Sequence, residues 1–124
     1  MAIPKDLATE YENTILEVNF GEFWESVANT SFTGHVITGW NPKGELQTSE
    51  DNRLCNERLE ELLTKSDKVF WPCTGRNIEG TWLEEGFAIE GFSDDEALNV
   101  GRKFKQLAIF KCVSGKKTVL DCTS

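Results

Sequence analysis

The 124 residues contain one histidine, His35, and their four cysteines include no Cys-x-x-Cys pair. These shortages exclude a zinc site of ordinary spacing, which needs three or four such ligands in register, so no metal or cofactor is expected. They also leave no catalytic triad to assemble around His35, which reads as a strand histidine with satisfied hydrogen bonds. Positive charge is scarce as well: 13 Lys and Arg against 21 Asp and Glu give a net charge of −8. Lys103, Lys105, Lys111, Lys116 and Lys117 make the last third the least acidic but form no basic tract, so a phosphate backbone would be repelled and nucleic acid is not an expected partner.

Long apolar runs are missing too. Met1-Ala2-Ile3-Pro4-Lys5-Asp6 becomes charged at once, unlike a signal peptide, and nothing later approaches membrane-spanning length. The expectation is a soluble, cytoplasmic protein in which Cys55, Cys73, Cys112 and Cys122 are reduced and mostly buried. No P-loop, dinucleotide fingerprint, nucleophile elbow, repeat or low-complexity tract is present. What remains is 39% hydrophobic and 27% charged, a balance that supports one packed domain over residues 1–124.

Periodicity then orders the chain. Pro4, Leu7 and Tyr11 predict a short helix over 4–13 that lies on the core as a lid. Leu16, Val18 and Phe20 alternate as a strand that Gly21 ends. Between Glu22 and Thr33 no element is assigned, although Phe23 and Trp24 call for shelter. His35 to Trp40 is a β-branched interior strand, stopped by Asn41-Pro42-Lys43-Gly44. Thr48 or Ser49 caps a helix that runs to about Leu63, with Cys55, Leu59, Leu62 and Leu63 as its stripe.

Lys68 to Trp71 predicts a short strand closed by Pro72, and Trp82 to Glu90 a longer one. Ser93 and Glu96 form a capping box before the Ala97, Val100, Phe104, Leu107 stripe. Two strands around Ser114-Gly115 make a C-terminal hairpin that sets Cys122 opposite Ile109, so no disulfide is predicted there. The resulting fold class is α+β: a two-layer sandwich in ferredoxin-like β-α-β-β-α-β order, with an extra strand at each end and a short N-terminal helix.

Ile37-Thr38-Gly39-Trp40-Asn41-Pro42, the pair Asn52 and Asn56, Trp82-Leu83-Glu84, and the run from Ala97 through Phe104-Lys105-Gln106-Leu107-Ala108 occur in one order. Together they resemble the uncharacterised bacterial family known as domain of unknown function 3293, over roughly residues 7–112. Two positions depart from the family pattern: Gly39 stands where alanine is usual, and Lys105 where glycine is usual. The resemblance implies no reaction, cofactor or ligand.

Candidate ligand-binding residues are Thr38, Trp40, Asn41, Asn52, Asn56, Trp82, Glu84 and Gln106. Asn52 and Asn56 share a helix face and either bind a ligand or, as the preferred reading, hold the backbone of the Trp40-Asn41-Pro42 loop. Trp82 and Glu84 share the sheet face that turns away from the helices. A carboxylate beside an indole can have a raised pKa and act as a general acid or base, although a lone strand glutamate is more often a hydrogen-bond partner. Gln106 either contacts a ligand or caps helix carbonyls, and capping is preferred. The strand order puts Trp82, Glu84 and Gln106 near one end of the sheet and Asn41, Asn52 and Asn56 near the other.

Three functions follow as expectations. The first is a non-catalytic binding module in which the Trp40-Asn41-Pro42 loop and the Asn52/Asn56 helix start recognise a small polar molecule or a protein partner. The second is a small hydrolase or transferase with Glu84 as acid or base. The third is an acidic inhibitor or decoy that docks on a basic partner.

Overall fold

The computed structural model describes residues 5–123. Pro4 and the side chain of Leu7, both used in the helix reading, lie outside the described residues. The described residues form three α-helices, α1 (Lys5–Glu12), α2 (Ser49–Lys65) and α3 (Asp94–Lys103). Seven strands accompany them: β1 (Ile15–Asn19), β2 (Trp24–Ser26), β3 (Gly34–Thr38), β4 (Val69–Arg76), β5 (Leu83–Glu90), β6 (Ala108–Val113) and β7 (Lys116–Asp121). They make one antiparallel sheet in the order β2-β1-β4-β5-β3-β6-β7.

The helix ends follow from local chemistry. Thr48 Oγ1 accepts the Asp51 N–H (3.1 Å) at the start of α2. In the capping box of α3, Ser93 Oγ accepts from Glu96 N–H (3.1 Å) and Glu96 Oε1 from Ser93 N–H (2.9 Å). Such a cap contributes about 1 kcal/mol. The far end of α3 is a Schellman turn: Gln106 N–H bonds Gly101 O, Lys105 N–H bonds Arg102 O, and Lys105 takes the left-handed φ of 57°. Glycine is the residue best suited to that position.

Alternation along the strands divides the apolar side chains between two cores. On the helix-covered face Ile37, Phe87, Ile89 and Ile109 pack with Leu59 and Leu63 of α2 and Ala97 and Val100 of α3. Each large aliphatic chain fully buried there contributes about 1.5–3 kcal/mol. The other face is covered as well, since Leu16, Val18, Val27, Phe32, Val36, Cys73, Ala88 and Cys112 form a second buried cluster.

The sheet curls around that second cluster until β7 and the β6–β7 turn reach the end of α1 and the segment that follows β2. Lys117 on β7 donates to the carbonyls of Tyr11, Glu12 and Thr14 at the end of α1, at 3.1, 2.7 and 2.6 Å. Gly115 N–H, in the β6–β7 turn, bonds Phe32 O at 2.8 Å.

Several expectations are corrected. β2 was not foreseen, because its three residues pair along an edge with Trp24 exposed; Phe23 and Trp24 are not sheltered but 61% and 48% exposed. β4 does not stop at Pro72 but continues to Arg76. Pairing with β1 ends at Cys73, so at Pro72 one side of β4 is open and the missing N–H deprives no neighbour. In the C-terminal hairpin Ser114 and Gly115 both adopt positive φ, a two-residue turn that pairs Ile109 with Leu120 and brings Cys122 to Leu107. All four cysteines are unpaired.

Candidate functional site

β3 ends at Thr38, and the chain then turns through Gly39, Trp40 and Asn41, the last with φ of 49°. Its backbone is held from four directions. Gly39 N–H donates to Asn56 Oδ1 (3.2 Å) and Asn41 N–H to Asn52 Oδ1 (2.9 Å). Gln106 Nε2 donates to Trp40 O (3.1 Å), and Lys43 N–H to Lys105 O (2.6 Å). Thr38 Oγ1 accepts the Trp40 N–H and donates to Glu85 O. Asn52 and Asn56 therefore serve the loop backbone, and Gln106 does so while also donating to Phe104 O at 3.3 Å.

The Asn41 side chain reaches the opposite way. Its Oδ1 accepts from Gln47 N–H and Asn52 Nδ2, while its Nδ2 donates to Glu84 Oε2 at 2.9 Å. The expected separation of the candidates into two ends of the sheet is thus wrong. β3 runs antiparallel to both β5 and β6, so the end of β3 lies beside the beginnings of its neighbours: Thr38 pairs with Gly86, and Val36 with Phe110. Asn41, Glu84, Trp40 and Gln106 consequently meet at one end.

Glu84 projects from the sheet face that carries Gly86 and Ala88, away from α2 and α3. Burial raises its pKa from 4.5 to about 7; the Asn41 hydrogen bond opposes that shift, nearby Glu10 adds to it, and a hydrogen bond from Trp82 opposes it. Among the described residues no Lys or Arg pairs with it. Around it lies a cavity of about 30 Å³ lined by Tyr11, Val36, Thr38, Trp82, Gln106 and Phe110, a volume close to that of one water molecule.

Tyr11 is the part of this site that sequence reasoning missed. Its spacing from Leu7 marks it only as part of the apolar stripe of α1, yet it meets Phe110 edge-on (centroids 6.2 Å apart) and roofs the cavity. Burial and the neighbouring Glu84 carboxylate push its phenol up to about 12. Beyond Trp82, which lines both spaces, an outer cleft of about 380 Å³ runs between α1 and the β4–β5 turn past Glu10, Asn13, Asn77 and Glu79.

His35 is only half satisfied. Its Nε2 bonds Asp94 Oδ1 (2.8 Å), whose Oδ2 accepts from Lys111 Nζ (2.9 Å), but its buried Nδ1 has no partner among the described residues. These bonds tie β3 and β6 to the start of α3 and include no nucleophile. No group of three metal-ligating side chains occurs among the described residues, and no helix there is long and apolar enough to cross a membrane.

A family model described as protein of unknown function (DUF3293) matches residues 37–109, from inside β3 to the start of β6. The match leaves out Tyr11 and β1 but includes Asn41, Asn52, Glu84 and Gln106. No curated protein and no solved structure matches the chain.

Proposed function

The chain belongs to the DUF3293 family, and from that premise, which brings no chemistry with it, we propose that it is a binding module for a small cationic molecule. The site is the cleft between α1 and the β4–β5 turn, with Glu84 at its inner end. The observation that carries this reading is a half-buried carboxylate whose hydrogen-bond partners, Asn41 and Trp82, are both neutral. Withdrawing a carboxylate from water without a countercharge is unfavourable, and an ammonium or guanidinium group on a ligand would supply the missing charge. Trp82 offers an aromatic face to such a cation, and Glu10 and Glu79 extend negative charge outward along the cleft. Because the inner cavity holds only about one water, α1 and Tyr11 must lift for a ligand group to reach Glu84.

The test is a calorimetric and NMR titration with putrescine, choline and arginine beside neutral isosteres. Saturable binding that shifts Trp82 and Glu84 resonances, lowers the Glu84 pKa, and weakens about tenfold or more in Glu84→Gln is expected. Equal affinity for the neutral isosteres would sink the proposal.

A second reading, general acid or base chemistry at Glu84, draws support from its pKa of about 7, near the value that suits proton transfer at neutral pH. An activity that survives in Glu84→Gln would remove it. For the architecture we propose a ferredoxin-like unit over β3 to β6, supported by the order β6-β3-β5-β4 with α2 and α3 as crossovers. Unpaired cysteines support a reducing, cytoplasmic setting.

A further inference from the structure

We infer that the groove between the Pro42–Gln47 loop, α2 and the end of α3 binds a small amphipathic anion, a phosphate or carboxylate carried on an apolar body. This groove is separate from the Glu84 cleft and does not depend on its reading. Its volume is about 840 Å³, within the range that accommodates a small organic ligand. Pro42, Leu62 and Phe104 give it apolar walls, and Leu46, 85% exposed, stands on its rim.

Charge decides the class of ligand. Lys43, Arg58, Lys65, Lys103 and Lys105 line the groove, five of the chain's thirteen cations, against only Glu45 and Glu61 of its twenty-one carboxylates. Three separate segments contribute them, so the sequence shows no basic tract. None of the five side chains has an ion-pair or hydrogen-bond partner among the described residues. Six of the cations elsewhere are engaged, Arg53 with Glu50 and Glu57, Arg76 with Glu17, Lys111 with Asp94, Lys68 with Gly91 O, Arg102 with Cys122 O and Lys117 with three carbonyls, while Lys116 has no such partner among the described residues.

Helix dipoles account for cations in the last turns of α2 and α3, Lys65 and Lys103, but not for Lys43 or Arg58. Lys43 and Lys105 moreover occupy left-handed backbone (φ 61° and 57°), where lysine is disfavoured, and are joined by the Lys43 N–H to Lys105 O bond. A compact anion fits better than a nucleic acid, because the rest of the chain carries eight cations against nineteen carboxylates and would repel an extended phosphate chain.

The test uses 1-naphthyl phosphate, with 1-naphthol as its uncharged counterpart, followed by amide chemical-shift mapping on the whole protein. Expected are shifts confined to residues 43–47, 55–66 and 103–105, binding that weakens several-fold as salt rises from about 50 to about 300 mM, and much weaker response to 1-naphthol. Combining Lys105→Gly, Arg58→Gln and Lys103→Gln should weaken binding about tenfold or more. Because Lys105→Gly relieves the left-handed backbone as it removes a charge, lost binding in that variant is not lost folding, and a thermal melt verifies this. No binding at millimolar phosphate ester, equal binding of 1-naphthol, shifts elsewhere, or unchanged affinity in the triple variant would each overturn the inference.

Discussion

At Glu84 the unfavourable withdrawal of a carboxylate from water is only partly offset by two neutral donors, and its pKa stands at about 7 instead of 4.5. A carboxylate with a raised folded-state pKa favours folding when protonated. Its contribution is therefore complete below about pH 4.5 and is lost as pH rises through about 7. The full difference is about 3 kcal/mol. Glu84→Gln, which cannot ionise, should gain stability relative to the parent between about pH 5 and pH 8 by up to that amount, measured by urea denaturation at both values; a constant gap would contradict the assignment. Lys105 tests the backbone in the same way. With a φ of 57° at the end of α3, its replacement by glycine should raise stability by about 1 kcal/mol, read as a higher urea midpoint with unchanged slope.

The element that matters most is the loop after β3, held by side chains of α2 instead of by regular secondary structure. Asn52 and Asn41 are 4% and 6% exposed, and Asn52 Oδ1 accepts both Asn41 N–H and Gln47 Nε2. Asn52→Ala should leave the Asn41 N–H buried and unpaired and cost about 2–3 kcal/mol, with faster hydrogen exchange at that amide; a loss under about 0.5 kcal/mol would mean that the loop is held otherwise. Close contact holds the same junction from beneath: a Cβ at Gly39 would lie 2.8 Å from Cys55 O. Gly39→Ala should therefore push α2 from β3 and destabilise by about 1–3 kcal/mol, checked by thermal unfolding. Spacing on one helix face made the asparagines' role legible from the sequence. That Asn41 would turn its own amide to Glu84, 43 positions on, was not legible.

For the molecule as a whole, the curl of the sheet encloses the candidate site, and Lys117 fastens it by joining β7 to the end of α1. Lys117→Met should release α1 and Tyr11, seen as faster exchange and proteolysis around residues 8–14, while protection in β3, β5 and β6 is kept. Equal loss of protection across the sheet would show that α1 is not a separable lid. The sequence by itself determined α2 and α3, the capping box of α3, the Ser114–Gly115 turn and the face on which Glu84 projects. Each depends on contacts within a few residues or on a period of two or 3.6. Only the tertiary structure decided that the antiparallel register brings Glu84 to Asn41, that Tyr11 closes the cavity, and that three distant segments pool their cations in one groove. Desolvation and charge density depend on what the rest of the chain packs around a group, and no local pattern encodes that.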